Sequence, residues 1–309
     1  MVLKKIMHSI ILLNKPYLLS SFKAANQAAS IFGKVKFGHG GSLDPAATGM
    51  LPICFGESRK FSSYLLDADK CYTVEAHMGL VTTTGDLEGE IITKSLRNIS
   101  FQEIELAISR FHGSIKQVPP MYSALKHEGV ALYHYARRGI NIERKFREII
   151  ISEFKILSWQ PPLLKCFVRC SKGTYIRSLL NDVAVSLGMS GATLINLHRN
   201  WVEPFQNEYS ITLEELSYLM SNNIKYSNVF KSIDDLFKDN SNRYDLTQKQ
   251  AVDLTKGRKV FLQDLSQGKG LVKLFTEDKF LGIAYLQTDG MLVVKKLRQS
   301  LVDKYRIFT

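Results

Sequence analysis

The chain has 309 residues, 45% of them hydrophobic and 23% charged. That balance excludes a disordered or fibrous protein and leaves room for about two domains. Lys and Arg number 41 against 29 Asp and Glu, a net charge of +12, and such a surplus favours a polyanionic partner, nucleic acid first among them.

The first apolar run, Ile6 to Leu13, follows Lys4 and Lys5. It is short, holds His8 and Ser9, and passes straight into Asn14-Lys15-Pro16, so it reads as a buried first strand and not as a secretory leader. No stretch approaches the length of a membrane span, and the expected location is the cytoplasm. The cysteines are Cys54, Cys71, Cys166 and Cys170. None makes a Cys-x-x-Cys pair, and Cys166 and Cys170 share one face of an apparent strand, which points to packing in a reducing compartment and not to metal.

Ser20-Ser21 opens an Ala-rich helix running toward Phe32. Then comes Gly38-His39-Gly40-Gly41-Ser42-Leu43-Asp44-Pro45-Ala46-Ala47-Thr48-Gly49, a glycine-rich loop around one carboxylate with apolar residues on either side. Glycine costs more backbone entropy than other residues, so such a loop is worth a function. Asp44 is the first candidate for chemistry. Asp before Pro is equally a helix start, with Asp as N-cap. The segment lacks the Lys-Ser/Thr ending of a P-loop and the glycine spacing of a dinucleotide site.

Cys71 to Met78 alternates as a strand, with Tyr72, Val74, Ala76 and Met78 on one face. Ser100-Phe101-Gln102-Glu103 is a capping box opening a helix through Phe111, and Thr212 to Glu215 is a second. Pro119 to Lys126 leads into Leu132-Tyr133-His134-Tyr135-Ala136-Arg137-Arg138, followed by Arg144, Lys145 and Arg147. Aromatics interleaved with cations suit RNA, and equally suit an ordinary helix with rings on the core. Leu163 to Cys170 is a strand, and Thr174 to Leu187 a helix closed by Gly188. Residues 221–242 turn to Asn, Ser, Lys and Asp and hold the main linker. Thr247 to Lys256 reads as a helix ending at Gly257, with short strands beyond. Residues 240–309 carry 13 Lys and Arg against 7 Asp and Glu, so half the formal surplus sits in this tail.

Taken together, these segments resemble the bacterial tRNA pseudouridine-55 synthase (TruB) family over nearly the whole chain. The resemblance rests on Lys15-Pro16-Tyr17-Leu18-Leu19-Ser20-Ser21, on Gly38 to Pro45 with Ala47-Thr48-Gly49, and on Asp69-Lys70-Cys71-Tyr72. It continues in Thr82-Thr83-Thr84-Gly85-Asp86, Gln117 to Lys126, Cys170 to Arg177 and Leu197-His198-Arg199. It implies an α+β fold with a mixed, largely antiparallel central sheet flanked by helices in residues 1–240, and a small β-rich PUA-like RNA-binding domain in 241–309. An insertion at about 124–152 would clamp the RNA arm. Two departures stand out: Leu18 occupies a position where the family has Gly, which would be strained if φ is positive there, and Asn200 breaks the basic run after Arg199.

The resemblance also implies roles. Asp44 would be the nucleophile, Tyr72 would stack on the target uracil and assist the proton step, and Arg177 would pair with Asp44. Leu197 would line the base pocket with Tyr175 beside it. His39 would fill space by the flipped bases, and Lys15 would support the floor of the site. The implied reaction isomerises one uridine in the T-arm loop of tRNA. It breaks the N-glycosidic bond, turns the base and rejoins it through C5, with a carboxylate as transient covalent partner. It needs no cofactor and no metal, and the resemblance implies a monomer acting on tRNA without a protein partner or a membrane. Two further readings keep the same basic surfaces: an RNA-binding or RNA-folding protein with an inactive site, and a relative that works with guide RNAs.

Overall fold

The N-terminal apolar run forms β1 (Ile10–Lys15), in which only Asn14 is half-buried. The computed structural model describes residues 8–95, 97–222, 224, 228–239, 241–263 and 270–307, so Ile6 and Met7 of that run lie outside the described residues. The strands that follow are β2 (Phe37–His39), β3 (Thr48–Phe55), β4 (Lys70–Met78), β5 (Leu80–Thr82), β6 (Ile91–Lys94) and β7 (Gly113–Gln117). Next come β8 (Lys126–His127), β9 (Val130–Ala131), β10 (Arg147–Gln160), β11 (Leu163–Cys170), β12 (Ala192–Val202) and β13 (Phe230–Lys231).

Among the described residues, nine strands form the main sheet in the order β13-β1-β3-β12-β4-β11-β10-β7, with β2 beside β3. The β3–β12 pair is parallel, and the other pairs are antiparallel. This is the mixed, largely antiparallel sheet expected. In β4 the inward set is Tyr72, Val74, Ala76 and Met78, as the alternation requires.

β3 is buried on both faces. Leu51, Ile53 and Phe55 pack against Ala24, Ala25, Ala28 and Ala29 of helix Ser21–Ile31. The small alanines let that helix approach closely. Met50 and Cys54 on the other face join a core shared with the C-terminal unit. The second half of the sheet is covered by helices Phe101–Ser109 and Ile176–Ser186. Both expected capping boxes are formed. Ser100 accepts from Glu103 N–H at 3.2 Å while Glu103 accepts from Ser100 N–H at 2.8 Å, and Thr212 and Glu215 do the same.

The C-terminal unit is a four-stranded sheet of β14 (Arg243–Asp245), β15 (Gly270–Thr276), β16 (Lys279–Leu286) and β17 (Leu292–Leu297). Helix Gln248–Thr255 is capped by Thr247, and Gly257 follows it at φ +75°. Helix Gln299–Ile307 was not signalled by composition or spacing. Phe280 of β16 stacks on Phe237 at 4.0 Å and meets Phe61 edge-on at 5.3 Å. Asp234 accepts from Phe280 N–H at 2.7 Å and pairs with Arg298 at 2.8 Å. This unit is therefore packed onto the main sheet through a common apolar core.

Two sequence expectations are corrected. Asp44 caps no helix: its carbonyl accepts from Ala47 N–H at 3.0 Å in a turn, and β3 follows. The helix expected from Thr174 starts at Ile176, because Thr174 Oγ1 bonds back to Ser171 and Tyr175 is held extended. Within the segment at about 124–152, Arg147 starts β10, and Ile149 and Ile151 are core residues. In the linker stretch, Phe230 and Lys231 pair with β1, and Ile233–Leu236 is a short helix; residues 223, 225–227 and 240 lie outside the described residues.

Two backbone positions stand out. Leu18 has φ +61°, a left-handed conformation that costs an L-residue about 1–2 kcal/mol. Gly49 has φ +104°, and a Cβ there would stand 2.3 Å from the Arg199 carbonyl oxygen across the β3–β12 pair. Gly49→Ala is expected to destabilise the protein by at least about 1–3 kcal/mol, read as a lower urea midpoint. An unchanged midpoint would contradict this account of the strand pair.

Candidate active site

Asp44 lies on the loop between β2 and β3, and the chain on both sides of it is tied down. Ser21, at the start of its helix, donates to the Leu43 carbonyl at 3.0 Å and accepts from Leu43 N–H at 2.7 Å. Lys15 at the end of β1 has no exposed surface. Its ammonium donates to the carbonyls of Pro16 at 2.7 Å, Leu19 at 2.7 Å and Pro45 at 3.1 Å. A buried ammonium without such acceptors would be strongly unfavourable. Burial still lowers its pKa to about 8, against the pull of Asp44. Lys15 thus ties the end of β1 to the loop that carries Asp44.

Arg177 enters from the first turn of helix Ile176–Ser186. Its guanidinium stands 3.0 Å from Asp44 Oδ2 and is 6% exposed. It also donates to the carbonyls of Thr84 at 2.7 Å and Tyr122 at 2.8 Å. Asp86, nearly buried, lies 3.9 Å away on the far side and accepts from Thr84 Oγ1 and from Glu88 N–H. The backbone of Tyr175, which precedes the helix, is held by Gln117: Tyr175 N–H donates to its Oε1 at 2.8 Å and its Nε2 donates to the Tyr175 carbonyl at 3.1 Å. Gln117 therefore sets where the helix starts and where Arg177 points.

The resulting cleft, of about 100 Å³, is lined by Asp44, Tyr72, Tyr175, Arg177 and Leu197, with Leu43 and Thr174 at its edges. Burial raises the Asp44 carboxyl above the ordinary aspartate value, and Asp86 adds to this. Arg177 and Lys15 pull it back. Arg177 thus favours the ionised form, while burial remains the larger effect. Burial pushes the Tyr72 phenol up to about 12, against Arg199 beside it. A phenol at that value is protonated at neutral pH, which suits a stacking face and hydrogen-bond donor better than a resting base. Burial also raises Tyr175.

The structure thus brings five expected residues together at the cleft, with Lys15 beneath. His39 ends β2 opposite Ile53 and does not line this cleft. Burial and the Arg199 cation lower its pKa, so its imidazole is neutral at pH 7. Among the described residues no group of three His, Cys, Asp or Glu side chains is placed to hold a metal, and no helix is long and apolar enough to cross a membrane.

Sequence reasoning assigned no role to Ser21, Thr84, Asp86, Gln117 or Arg199. Arg199 is 1% exposed, donates to the Met50 carbonyl at 2.7 Å and the Gly41 carbonyl at 3.1 Å, and contacts the Tyr72 phenol. Its signal was available: a basic residue in phase with Leu197 on the inward face of a strand. Thr84 and Asp86 lay in a quoted segment whose purpose only contact with Arg177 reveals. Ser21 and Gln117 carry no local signal.

A model for the N-terminal domain of the TruB family pseudouridylate synthases matches residues 29–176, and one for the TruB pseudouridine synthase C-terminal region matches 244–297. The chain is 40% identical over 281 residues to a tRNA pseudouridine synthase B of Marinomonas sp. (strain MWYL1), covering 90% of this chain and 91% of the relative. It is 49% identical over 216 residues to one from Neisseria meningitidis serogroup B, covering 70% of each. In fold it is similar to a chain of a Cbf5–Nop10–Gar1 complex, with a TM-score of 0.74 at 21% identity over 95% of this chain and 86% of that one. Fold and matches define an enzyme of the pseudouridylate synthase class. Within that class, the chain belongs to the TruB family.

The nucleophile that the resemblance implies is the ionised form of Asp44. As the pH falls through its raised pKa it would take a proton, so kcat/KM is expected to fall on an acid limb that lies above the ordinary 3.8. Arg177→Met removes the main opposing cation and is expected to move this limb up by about one unit or more in the residual activity, with Arg177→Lys moving it less. A limb that stays in place in Arg177→Met would contradict the pairing.

Proposed function

We propose that this enzyme isomerises uridine 55 in the T-arm loop of tRNA to pseudouridine, with Asp44 as nucleophile. The observation that carries the proposal is the Asp44 carboxylate, 3.0 Å from a buried guanidinium, in a cleft whose walls are an aromatic ring and a leucine. A uridine flipped from its stack presents its sugar and base edge there, with Tyr72 as the face it stacks on and Leu197 opposite.

Asp44 attacks either C1′ of the sugar or the base, and the N1–C1′ bond breaks. The base turns within the cleft, C5 bonds to C1′, and the bond to the Asp44 oxygen breaks, which returns the free carboxylate. The C5 hydrogen then leaves as a proton while N1 ends protonated, so the net change is an isomerisation. No electrons are exchanged and no group is donated, hence the chemistry calls for neither redox cofactor nor cosubstrate. Arg177, held by two carbonyls, keeps the carboxylate aimed through the cycle.

The names of the relatives support tRNA as substrate, and the charge of +12 supports a polyanion. The segment at about 124–152, with its hairpin, short helix and exposed cations, would clamp the RNA arm. The tail unit would grip the same RNA, and the enzyme would act in the cytoplasm as a monomer without a protein partner. Removing the tail is a poor probe, because it would uncover Met50 and Phe61 in the shared core. Charge reversal at the exposed Lys279 and Lys295 is better. The double variant Lys279→Glu, Lys295→Glu is expected to weaken tRNA binding and to flatten log Kd against log salt by about one for each phosphate no longer neutralised. An unchanged slope would remove the tail from the RNA interface.

The site of modification is read by carbodiimide adduct mapping of an unmodified tRNA transcript after incubation with the enzyme. A single reverse-transcription stop one nucleotide 3′ of position 55, absent with Asp44→Asn, is expected. A stop at another position would overturn the assignment of the uridine.

A further inference from the structure

Between β1 and helix Ser21–Ile31 the chain turns through Tyr17 and Leu18, and this tip is strained, exposed and rigid at once. Leu18 has φ +61° and is 66% exposed, where glycine would be free of strain and leucine gains no burial. Tyr17 is 55% exposed. Yet the tip is not loose, because Lys15 donates to the carbonyls of Pro16 and Leu19 that bracket it and to Pro45 of the Asp44 loop. One buried ammonium thus couples the tip to the nucleophile.

Tyr17 lines a narrow crevice with Asp44, Asp86, Leu87, Leu194 and Leu197. Asp44 and Leu197 are also walls of the base cleft, so the crevice adjoins the active site, and Tyr72 is not among its lining residues. Leu87 on its rim is 53% exposed. Three large apolar side chains therefore stand in water at the lip of a site that otherwise handles a polyanion. Residues 16–20 contain no Lys or Arg and Lys15 is taken up by carbonyls, so the tip is built for a base and not for a phosphate. A tyrosine face takes any unpaired base with little loss of side-chain freedom. Strain kept at such a place is a mark of use.

We propose that the Tyr17–Leu18 tip is a second base-binding element, which receives an unstacked nucleobase adjacent to the target uridine, Tyr17 giving the stacking face and Leu18 a wedge beside it. Both are positioning residues: they hold the strand so that the target stays in the Asp44 cleft. This rests on the proposed RNA-modifying function, and its test separates the two. Wild type, Tyr17→Phe, Tyr17→Ala and Leu18→Gly are compared by melting temperature, by single-turnover C5-hydrogen release from a tRNA transcript, and by fluorescence of 2-aminopurine placed on either side of the target.

Leu18→Gly is expected to melt higher than wild type and yet lose about tenfold in kcat/KM. Tyr17→Ala is expected to lose about as much, and Tyr17→Phe to keep wild-type kinetics. Binding should quench 2-aminopurine at one flanking position in wild type and Tyr17→Phe but not in Tyr17→Ala. A merely structural turn would leave Leu18→Gly more stable and fully active. Active wild type with wild-type kinetics and quenching in both Tyr17→Ala and Leu18→Gly would overturn the tip. Failure of wild type to release hydrogen from any tRNA would overturn the functional reading instead.

Discussion

The guanidinium of Arg177 is the interaction on which the site depends. It meets Asp44 on one loop, the Thr84 carbonyl on a second and the Tyr122 carbonyl on a third. Taking a cation out of water costs several kcal/mol before compensation. Here one carboxylate and two carbonyls offset that cost, and in doing so they bring three distant segments to one point. A lysine could supply the charge but not the planar fork that reaches three partners at once. The pair also bears on protonation, because burial favours a neutral Asp44 and Arg177 opposes it.

The same device recurs around the site. Lys15 gathers the carbonyls of Pro16, Leu19 and Pro45, and Arg199 those of Met50 and Gly41. Lys70 is buried against the carbonyls of Leu65, Leu66 and Ala68, and burial lowers it to about 8. Loops rich in glycine have carbonyls that no helix or sheet satisfies. Buried cations satisfy them and fix the loops. Part of the positive charge of this chain is thus internal scaffolding, and only the rest is free to face RNA.

Much of this was legible in the sequence because it was local. The β4 alternation from Tyr72 to Met78, the Ser100–Glu103 and Thr212–Glu215 boxes and the Thr247 helix each carry their cause within a few residues. The loop around Asp44 was conspicuous through glycine. The strain at Leu18 followed from one residue out of pattern. What was not legible depends on partners far away in the chain. Gln117 looks like any strand amide until it meets Tyr175, 58 residues on. The Asp44–Pro45 pair carried two local meanings, and the tertiary ties from Ser21 and Lys15 chose the turn over the cap.

The central claim is that a carboxylate held by Arg177 carries a uridine isomerisation. The most direct measurement is single-turnover tritium release from a tRNA transcript labelled at uridine C5, with saturating wild type or Asp44→Ala. Bonding C5 to the sugar must expel that hydrogen, which binding alone cannot do. Release by wild type and none by Asp44→Ala, with both proteins binding the tRNA, is the predicted result. Comparable release by Asp44→Ala, or no release by a wild type that binds, would contradict it.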